Sequence, residues 1–332
     1  MGVNRTYLMW LSPYAWILGL RHFLYDRGIF RSHTFPLHTI CVGNITVGGT
    51  GKTPMTEYLV GRFLDKNVTP VVLSRGYGRK TKGFRYVNVT DTWDQAGDEP
   101  LQIKRHYPDV PVVVCEDRVK GLLHICKDFP GNPPVILDDA FQHRRVRASK
   151  NVLMADFTRP VSKDTLLPFG RLRDLPLAGK RADCVVYTRC SHLPDPTDSP
   201  EASLWNIPAF YTYLSYGQPV PLNQAENRPH RGASLLLVTG IANPKPLVEF
   251  LETTYKVDYH LRFSDHHRFT VKDLDKIRGL LAKNPHMQLV TTAKDALRLS
   301  CSGIRGWIIP VQLSFFSAEN ANEFFHLVTG LH

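Results

Sequence analysis

From residue 38 onward, short apolar runs alternate with longer segments of mixed character. The runs are His38–Val42, Val68–Ser74, Val110–Cys115, Pro134–Asp138, Asn151–Asp156 and Asp183–Thr188. Each is rich in Val, Ile or Leu without polar alternation, the pattern of strands buried on both faces of a parallel sheet. Pro54–Leu64 and Pro100–His106 read as crossover helices between them. This order predicts an α/β fold with a doubly wound, mostly parallel sheet and a site at the carboxyl ends of its strands.

Residues 190–232 break the alternation with frequent Pro and polar residues, and Phe210–Leu214 stands out as a hinge strand. A second alternation follows. Ser234–Thr239, Tyr259–Phe263, Gln288–Thr292 and Trp307–Leu313 read as strands, and Pro246–Tyr255, Val271–Lys283 and Glu319–Val328 as helices. The expected organisation is an amino-terminal helix in 1–30, a larger domain in 31–205, a linker in 206–232 and a smaller α/β domain in 233–332. That larger domain is of ordinary size, and so is the smaller one.

The amino terminus adds a different pattern. Tyr7–Leu20 is apolar except for Ser12 and Pro13, yet it falls short of the about 20 residues that cross a bilayer. No small-residue cleavage site follows it, which argues against a signal peptide. Trp10, Tyr14 and Trp16 are headgroup-depth residues, and Arg5, Arg21, Arg27 and Arg31 flank the stretch. The combination predicts a helix lying in a membrane surface, against the plainer alternative of a terminal helix packed on its own domain.

Composition narrows the class. The 332 residues are 43% hydrophobic and 21% charged, which excludes disordered, collagen-like and coiled-coil chains. With 41 basic and 30 acidic residues the net charge is +11, favouring an anionic partner. Six cysteines without a CxxC pair argue against a disulfide scaffold and for a reducing compartment; Cys190 and His192 lack a second ligand pair for a metal.

The strongest local signal is Gly43-Asn44-Ile45-Thr46-Val47-Gly48-Gly49-Thr50-Gly51-Lys52-Thr53-Pro54. An apolar run ends in a glycine-rich loop, and Lys-Thr then opens a helix. Backbone N–H groups of such a loop turn toward phosphate oxygens, Lys52 reaches the terminal phosphates and Thr53 can ligate magnesium. The pattern GxxxxGK[ST] fails at its first glycine, which is Thr46 here. The tandem Gly48-Gly49 resembles the loops of MinD-type ATPases, which carry a lysine where this chain has Val47. Pro134–Asp139 then delivers Asp138 and Asp139 at a strand end, where a P-loop enzyme places its magnesium-binding acid.

The remaining motifs occur in a distinctive order: Ser74 to Arg79 (SRGYGR), Gly97-Asp98-Glu99-Pro100, Asp117-Arg118, Asp138 to His143 (DDAFQH), Leu167-Pro168 with Gly170 to Arg173, Gly240 to Pro244 (GIANP), Asp265-His266-His267 and Thr292 to Asp295. With the phosphate loop they resemble the tetraacyldisaccharide 4′-kinase family of lipid A biosynthesis over nearly the whole chain. Departures are small: Ala140 stands at a usual Gly, and Arg171 to Asp174 varies an LREP-like segment.

The resemblance implies transfer of the ATP γ-phosphoryl group to the 4′-hydroxyl of an acylated glucosamine disaccharide 1-phosphate. It implies a peripheral location on the cytoplasmic face of the bacterial inner membrane, without nucleic acid or an obligate protein partner. Thr46, Gly48, Gly49, Thr50, Gly51, Lys52 and Thr53 would hold ATP. Thr53, Asp138, Asp139 and Glu99 would hold Mg2+, with the roles of the carboxylates, Asp98 included, open to exchange. Asp98 would be the base, His266 its partner and Lys52 the charge stabiliser; use of His266 implies closure of the two domains. For Asp98 the alternative is a helix N-cap, and for His266 a surface loop residue.

Arg75, Arg118, Arg171 and Arg173 are candidates for contact with the acceptor's phosphate or sugar, because guanidinium forks suit phosphate oxygens, and Gln142 and His143 are candidates for sensing the γ-phosphate or the sugar. Residues 159–181 hold six basic and two acidic residues and read as a mobile lid or membrane-facing loop. The alternative function is a MinD-like membrane-associated switch ATPase. Against it stand Val47 in the loop and an apolar segment at the amino rather than the carboxyl end. A nucleic-acid-dependent ATPase lacks any regular aromatic and basic interleaving.

Overall fold

The computed structural model describes residues 12–195, 200–265 and 267–331, and the chain divides into two compact units, 12–214 with 313–331, and 215–312. The first unit is built on a nine-stranded sheet. Its strands are β1 (Thr39–Gly43), β2 (Val71–Ser74), β3 (Arg85–Tyr86), β4 (Val112–Val114), β5 (Val135–Asp138), β6 (Lys150–Asp156), β7 (Cys184–Thr188), β8 (Ala209–Tyr216) and β14 (Val311–Phe315). They lie in the order β14-β8-β7-β6-β1-β5-β2-β4-β3.

The pairs from β8 to β4 are parallel, and β3 adds an antiparallel edge. Every residue of β1, β2, β4, β5 and β7 is buried, which explains their unbroken apolar character. Strand β1 lies between β5 and β6, so the loop after it emerges where the winding reverses, the place at which such sheets bind ligands.

The helices of this unit are α1 (Pro13–Asp26), α2 (Lys52–Asp65), α3 (Trp93–Ala96), α4 (Asp98–His106), α5 (Arg118–Asp128), α6 (Pro200–Trp205) and α10 (Ala318–Thr329). Helix α2 buries Met55, Leu59, Val60 and Phe63, spaced along one face. Each such side chain contributes about 1.5–3 kcal/mol relative to exposure. That burial fixes the helix whose first residues are Lys52 and Thr53.

The second unit carries a five-stranded sheet of β9 (Val220–Leu222), β10 (Ser234–Thr239), β11 (Lys256–Arg262), β12 (Gln288–Thr292) and β13 (Gly306–Ile309), in the order β11-β10-β12-β13-β9. Only the β9 edge is antiparallel. Helices α7 (Lys245–Glu252), α8 (Val271–Lys283) and α9 (Ala293–Leu299) complete it.

Two expectations about the carboxyl end need correction. Trp307–Leu313 is two strands, because Pro310 has no N–H to continue a ladder. Residues 313–331 then belong to the first unit, not to a domain spanning 233–332. The reason is aromatic packing: Phe325 meets Phe63 edge-on at 5.3 Å, and Phe324 and Phe315 pack around Tyr58 of α2.

No helix among the described residues is long and apolar enough to cross a membrane. Helix α1 begins after Ser12 and runs to Asp26, beyond the end of the apolar stretch; Tyr7–Leu11, including Trp10, lie outside the described residues. It buries Leu18 and leaves Trp16, Ile17 and Leu20 at 71%, 63% and 60% exposure.

Candidate active site

The loop after β1 is held from two sides. On one side, residues 45–47 pair with the 171–173 arm: Val47 N donates to Arg171 O at 2.7 Å and Arg173 N to Ile45 O at 2.9 Å. Thr46 bridges Leu172 in the same ladder. The Arg171 guanidinium donates to Val47 O at 3.0 Å. Gly48, at φ +102, lies so close under that guanidinium that a Cβ would collide with it. On the other side, Thr188 Oγ1 donates to Thr50 O at 3.2 Å and Arg189 Nη2 to Gly49 O at 2.8 Å. Inside the loop, Asn44 Nδ2 donates to Thr50 Oγ1 at 2.7 Å.

Lys52 and Thr53 open α2, whose N-terminal N–H groups and dipole add positive character beneath the loop. Lys52 Nζ stands 3.9 Å from Asp139 Oδ1. Asp139 has φ +46 and also pairs with the Arg173 guanidinium. Its partial burial opposes ionisation, but Lys52 and then Arg173 outweigh this and hold the carboxyl below its usual range.

Asp138, 1% exposed, behaves in the opposite way. It accepts from Ser74 Oγ at 2.9 Å and Thr56 Oγ1 at 3.3 Å. Burial, then the negative charges of Glu99 and Asp139, push its pKa up. Asp138 and Asp139 thus stand together at the end of β5, with Glu99 of α4 near enough to act on Asp138, and a bound cation would relieve that repulsion. Among the described residues no group of three His, Cys, Asp or Glu has the geometry of a metal cage. The oxygen donors of Asp138, Asp139 and Glu99 are of the kind Mg2+ takes, one or two at a time beside waters and substrate phosphates.

Asp98 is the first residue of α4 and 7% exposed; the N-cap is Gly97, so the capping alternative does not hold. Gly97 sits at φ +90 with its Cα against the Gly76–Tyr77 backbone, about 3 Å from where a Cβ would stand. Only glycine allows this approach, which brings Asp98 and Glu99 against the Ser74–Arg79 loop. Helix α4 is tied in turn to α2, since Gln102 Nε2 donates to the buried Glu57 at 3.0 Å and Tyr107 OH to Glu57 O at 3.1 Å.

The expected acceptor residues part ways. Arg75 is exposed. Arg118 is not available to a substrate: it is 1% exposed and donates to Cys115 O at 2.7 Å and Asp138 O at 3.1 Å, a brace beneath β5. Gln142 donates to Asn44 O at 2.8 Å, and its own carbonyl accepts from Arg21 of α1. His143 is pushed down to about 4 by burial and then by Arg118 and Arg75, so it is neutral at pH 7.

The stretch 159–181 is no free-standing lid. Asp174 is fully buried between His22 Nε2 at 2.6 Å and Arg181 at 3.3 Å, while Tyr14 OH donates to Arg173 O at 2.9 Å. Burial opposes the charge of Asp174, but His22 and Arg181 prevail and lower its pKa.

In the second unit, His266 lies outside the described residues. Its neighbours are held from α9: Lys294 Nζ pairs with Asp265 at 2.8 Å, and Arg298 donates to His267 O at 2.9 Å. His267 is occupied structurally, with Asp273 at 3.0 Å and its ring stacked on Phe263. Asp295, paired with Lys294 in sequence, is fully buried and caps Gly240 N and Thr292 Oγ1.

A model of the tetraacyldisaccharide-1-P 4′-kinase family matches residues 5–329. The chain belongs to that family. Similar relatives are the tetraacyldisaccharide 4′-kinases of Phocaeicola vulgatus, 39% identical over 93% of this chain and 91% of the relative, and of Cytophaga hutchinsonii, 38% identical over 92% and 90%. Among solved structures, the "apo" form of LpxK from Aquifex aeolicus in complex with ATP is 27% identical, with a TM-score of 0.73 over 98% of this chain and 99% of that one.

Within this kinase fold, sequence reasoning missed two groups beside the phosphate loop, Thr188 with Arg189 and Asp156. Nothing local marks them. Asp156 and Thr188 end apolar strands and Arg189 follows the second of them, and only the β1-β6-β7 order brings them under residues 49–50.

Proposed function

We propose that this chain transfers the γ-phosphoryl group of ATP to the 4′-hydroxyl of a tetraacylated glucosamine disaccharide 1-phosphate, at the cytoplasmic face of the inner membrane. The family match identifies the reaction class; the observation that carries the site is Lys52 beside Asp139 at the strand end where Asp138 and Glu99 also converge. Thr46 and residues 48–53 hold the triphosphate, largely through backbone N–H groups; that of Val47 is taken by Arg171 O. Lys52 offsets charge that develops on the transferred group. Thr53, Asp138, Asp139 and Glu99 would hold Mg2+, which when bound neutralises phosphate charge and fixes its orientation.

Asp98 accepts the proton of the 4′-hydroxyl as the new O–P bond forms and the bond to the β-phosphate oxygen breaks, releasing ADP. Arg75, Gln142, His143 and Arg171 line the acceptor and γ-phosphate side. Because His143 stays neutral, it serves as a hydrogen-bond partner and not as a cation. Arg118 acts through Asp138.

The exposed face of α1, with the exposed Arg27 and Arg31 just beyond its end, brings the enzyme to its lipid. Incubation with ATP and the monophosphorylated glycolipid in mixed micelles tests the reading. One ADP should appear per bis-phosphorylated lipid, and ADP formed without lipid product would overturn it.

A further inference from the structure

A phosphate loop works only if its peptide N–H groups face the ligand. In a planar trans peptide the carbonyl of one residue and the N–H of the next point in opposite directions. Whatever pins a loop carbonyl on the protein side therefore aims the following N–H at the phosphates. Three carbonyls here are pinned by side chains: Val47 O by Arg171, Gly49 O by Arg189 and Thr50 O by Thr188. The N–H groups so aimed are those of Gly48, Thr50 and Gly51.

Arg189 is itself braced by a carboxylate. Its Nη1 donates to Asp156 Oδ2 at 2.5 Å. Asp156 ends β6, is nearly buried, and is fixed through its other oxygen by Thr158 N at 3.0 Å and Thr158 Oγ1 at 2.7 Å. The fork of the guanidinium thus spans from a strand end to the loop, a geometry an ammonium cannot copy. Arg189 also takes φ +61, a left-handed conformation uncommon for a residue with a Cβ, and the strand end and the two hydrogen bonds hold it there.

We propose that Arg189 is a positioning residue for the nucleotide: braced by Asp156, it holds the Gly49 carbonyl so that the Thr50 amide is preset toward the phosphates. The inference rests on residues 46–53 being the ATP phosphate loop. It separates Arg189 from a surface ion pair, which would leave nucleotide binding unchanged, and from a general structural brace, which would affect every ligand alike.

The test compares wild type with Arg189→Met, Arg189→Lys and Asp156→Asn, using ADP and AMP as probes in titration calorimetry and both substrates in steady-state kinetics. Loss of a charge-assisted hydrogen bond that preorganises the loop should weaken ADP by about tenfold in Arg189→Met. AMP affinity and the KM for the glycolipid should stay near wild type, while the KM for ATP rises. Arg189→Lys should fall between wild type and Arg189→Met, and Asp156→Asn should shift ADP the same way by less. An unchanged preference for ADP over AMP in Arg189→Met would overturn the proposal, as would equal losses of both nucleotides. Should Arg189→Met not fold, the ADP-to-AMP ratio of Asp156→Asn decides. A wild type without preference for ADP over AMP would instead overturn the reading of the loop itself.

Discussion

The phosphate loop and the outer face of α1 belong to the same unit and are built on opposite principles. Around the loop, carbonyls, amides and carboxylates are matched to named partners: Arg171, Thr188 and Arg189 on its backbone, and Lys52 and Arg173 on Asp139. On α1, Trp16, Ile17 and Leu20 face outward, while the polar residues of the same helix, Tyr14, Arg21 and His22, turn inward to Arg173, Gln142 and Asp174. A small, highly charged ligand is discriminated by directed hydrogen bonds whose geometry must exist beforehand. A lipid surface needs apolar area and positive charge without fixed register. One region is preorganised and the other is only available.

Substitutions should therefore act differently in the two regions. The largest effect belongs to Lys52→Met, which should lower kcat by about 10²–10³-fold, the cost of one preorganised charge-stabilising group, with thermal stability near wild type. Equal activity in that variant would remove Lys52 from the chemical step.

On α1, Ile17→Glu with Leu20→Glu should reduce turnover on anionic vesicles by about tenfold or more, since each residue forfeits roughly 1.5–3 kcal/mol of apolar burial. Turnover on a short-chain acceptor dispersed in detergent should not change. A loss of the same size in both assays would mean that the face serves folding and not the membrane.

The smallest effect is a test of the bracing between α2 and α4. His106 Nδ1 lies 3.6 Å from Glu57, whose carboxylate raises the imidazole pKa against the opposing effect of burial. A raised folded-state pKa stabilises the protein fully below the unfolded value near 6.5, and this contribution disappears as pH rises through the folded value. Because His106 is half exposed, His106→Gln should cost only about 0.5 kcal/mol at pH 5.5 and nothing measurable at pH 9. Urea melts at the two pH values would read the difference, and a pH-independent cost would dissociate it from the Glu57 pair.

The same contrast explains what the sequence discloses. β10, β12 and α8 coincide with their expected spans, because apolar runs between turn residues, and in α8 an amphipathic period behind the Thr270 cap, are local signals. The phosphate loop is legible for the same reason, as its function resides in consecutive residues. The return of β14 and α10 to the first unit is not, since it depends on Phe63 and Tyr58 meeting aromatic residues some 250 positions later. Asp117-Arg118 is visible as a motif and its Arg118 reads as an acceptor contact, yet Asp117 caps α5 and Arg118 turns inward to β5. Arg189 and Asp156 carry no motif at all; their relation to Gly49 exists only through the adjacency of β6, β7 and β1.

We propose that this preorganised centre phosphorylates a lipid hydroxyl with Asp98 as base. The most direct test follows labelled γ-phosphate from ATP into tetraacyldisaccharide 1-phosphate in mixed micelles, with wild type beside Asp98→Asn and ATP binding measured on both. Wild type should transfer the label, and Asp98→Asn should bind ATP normally while transferring it about 10²–10⁴-fold more slowly. Undiminished transfer by Asp98→Asn would contradict the assignment of the base. Absence of transfer by wild type, with ATP hydrolysed regardless of lipid, would contradict the account as a whole.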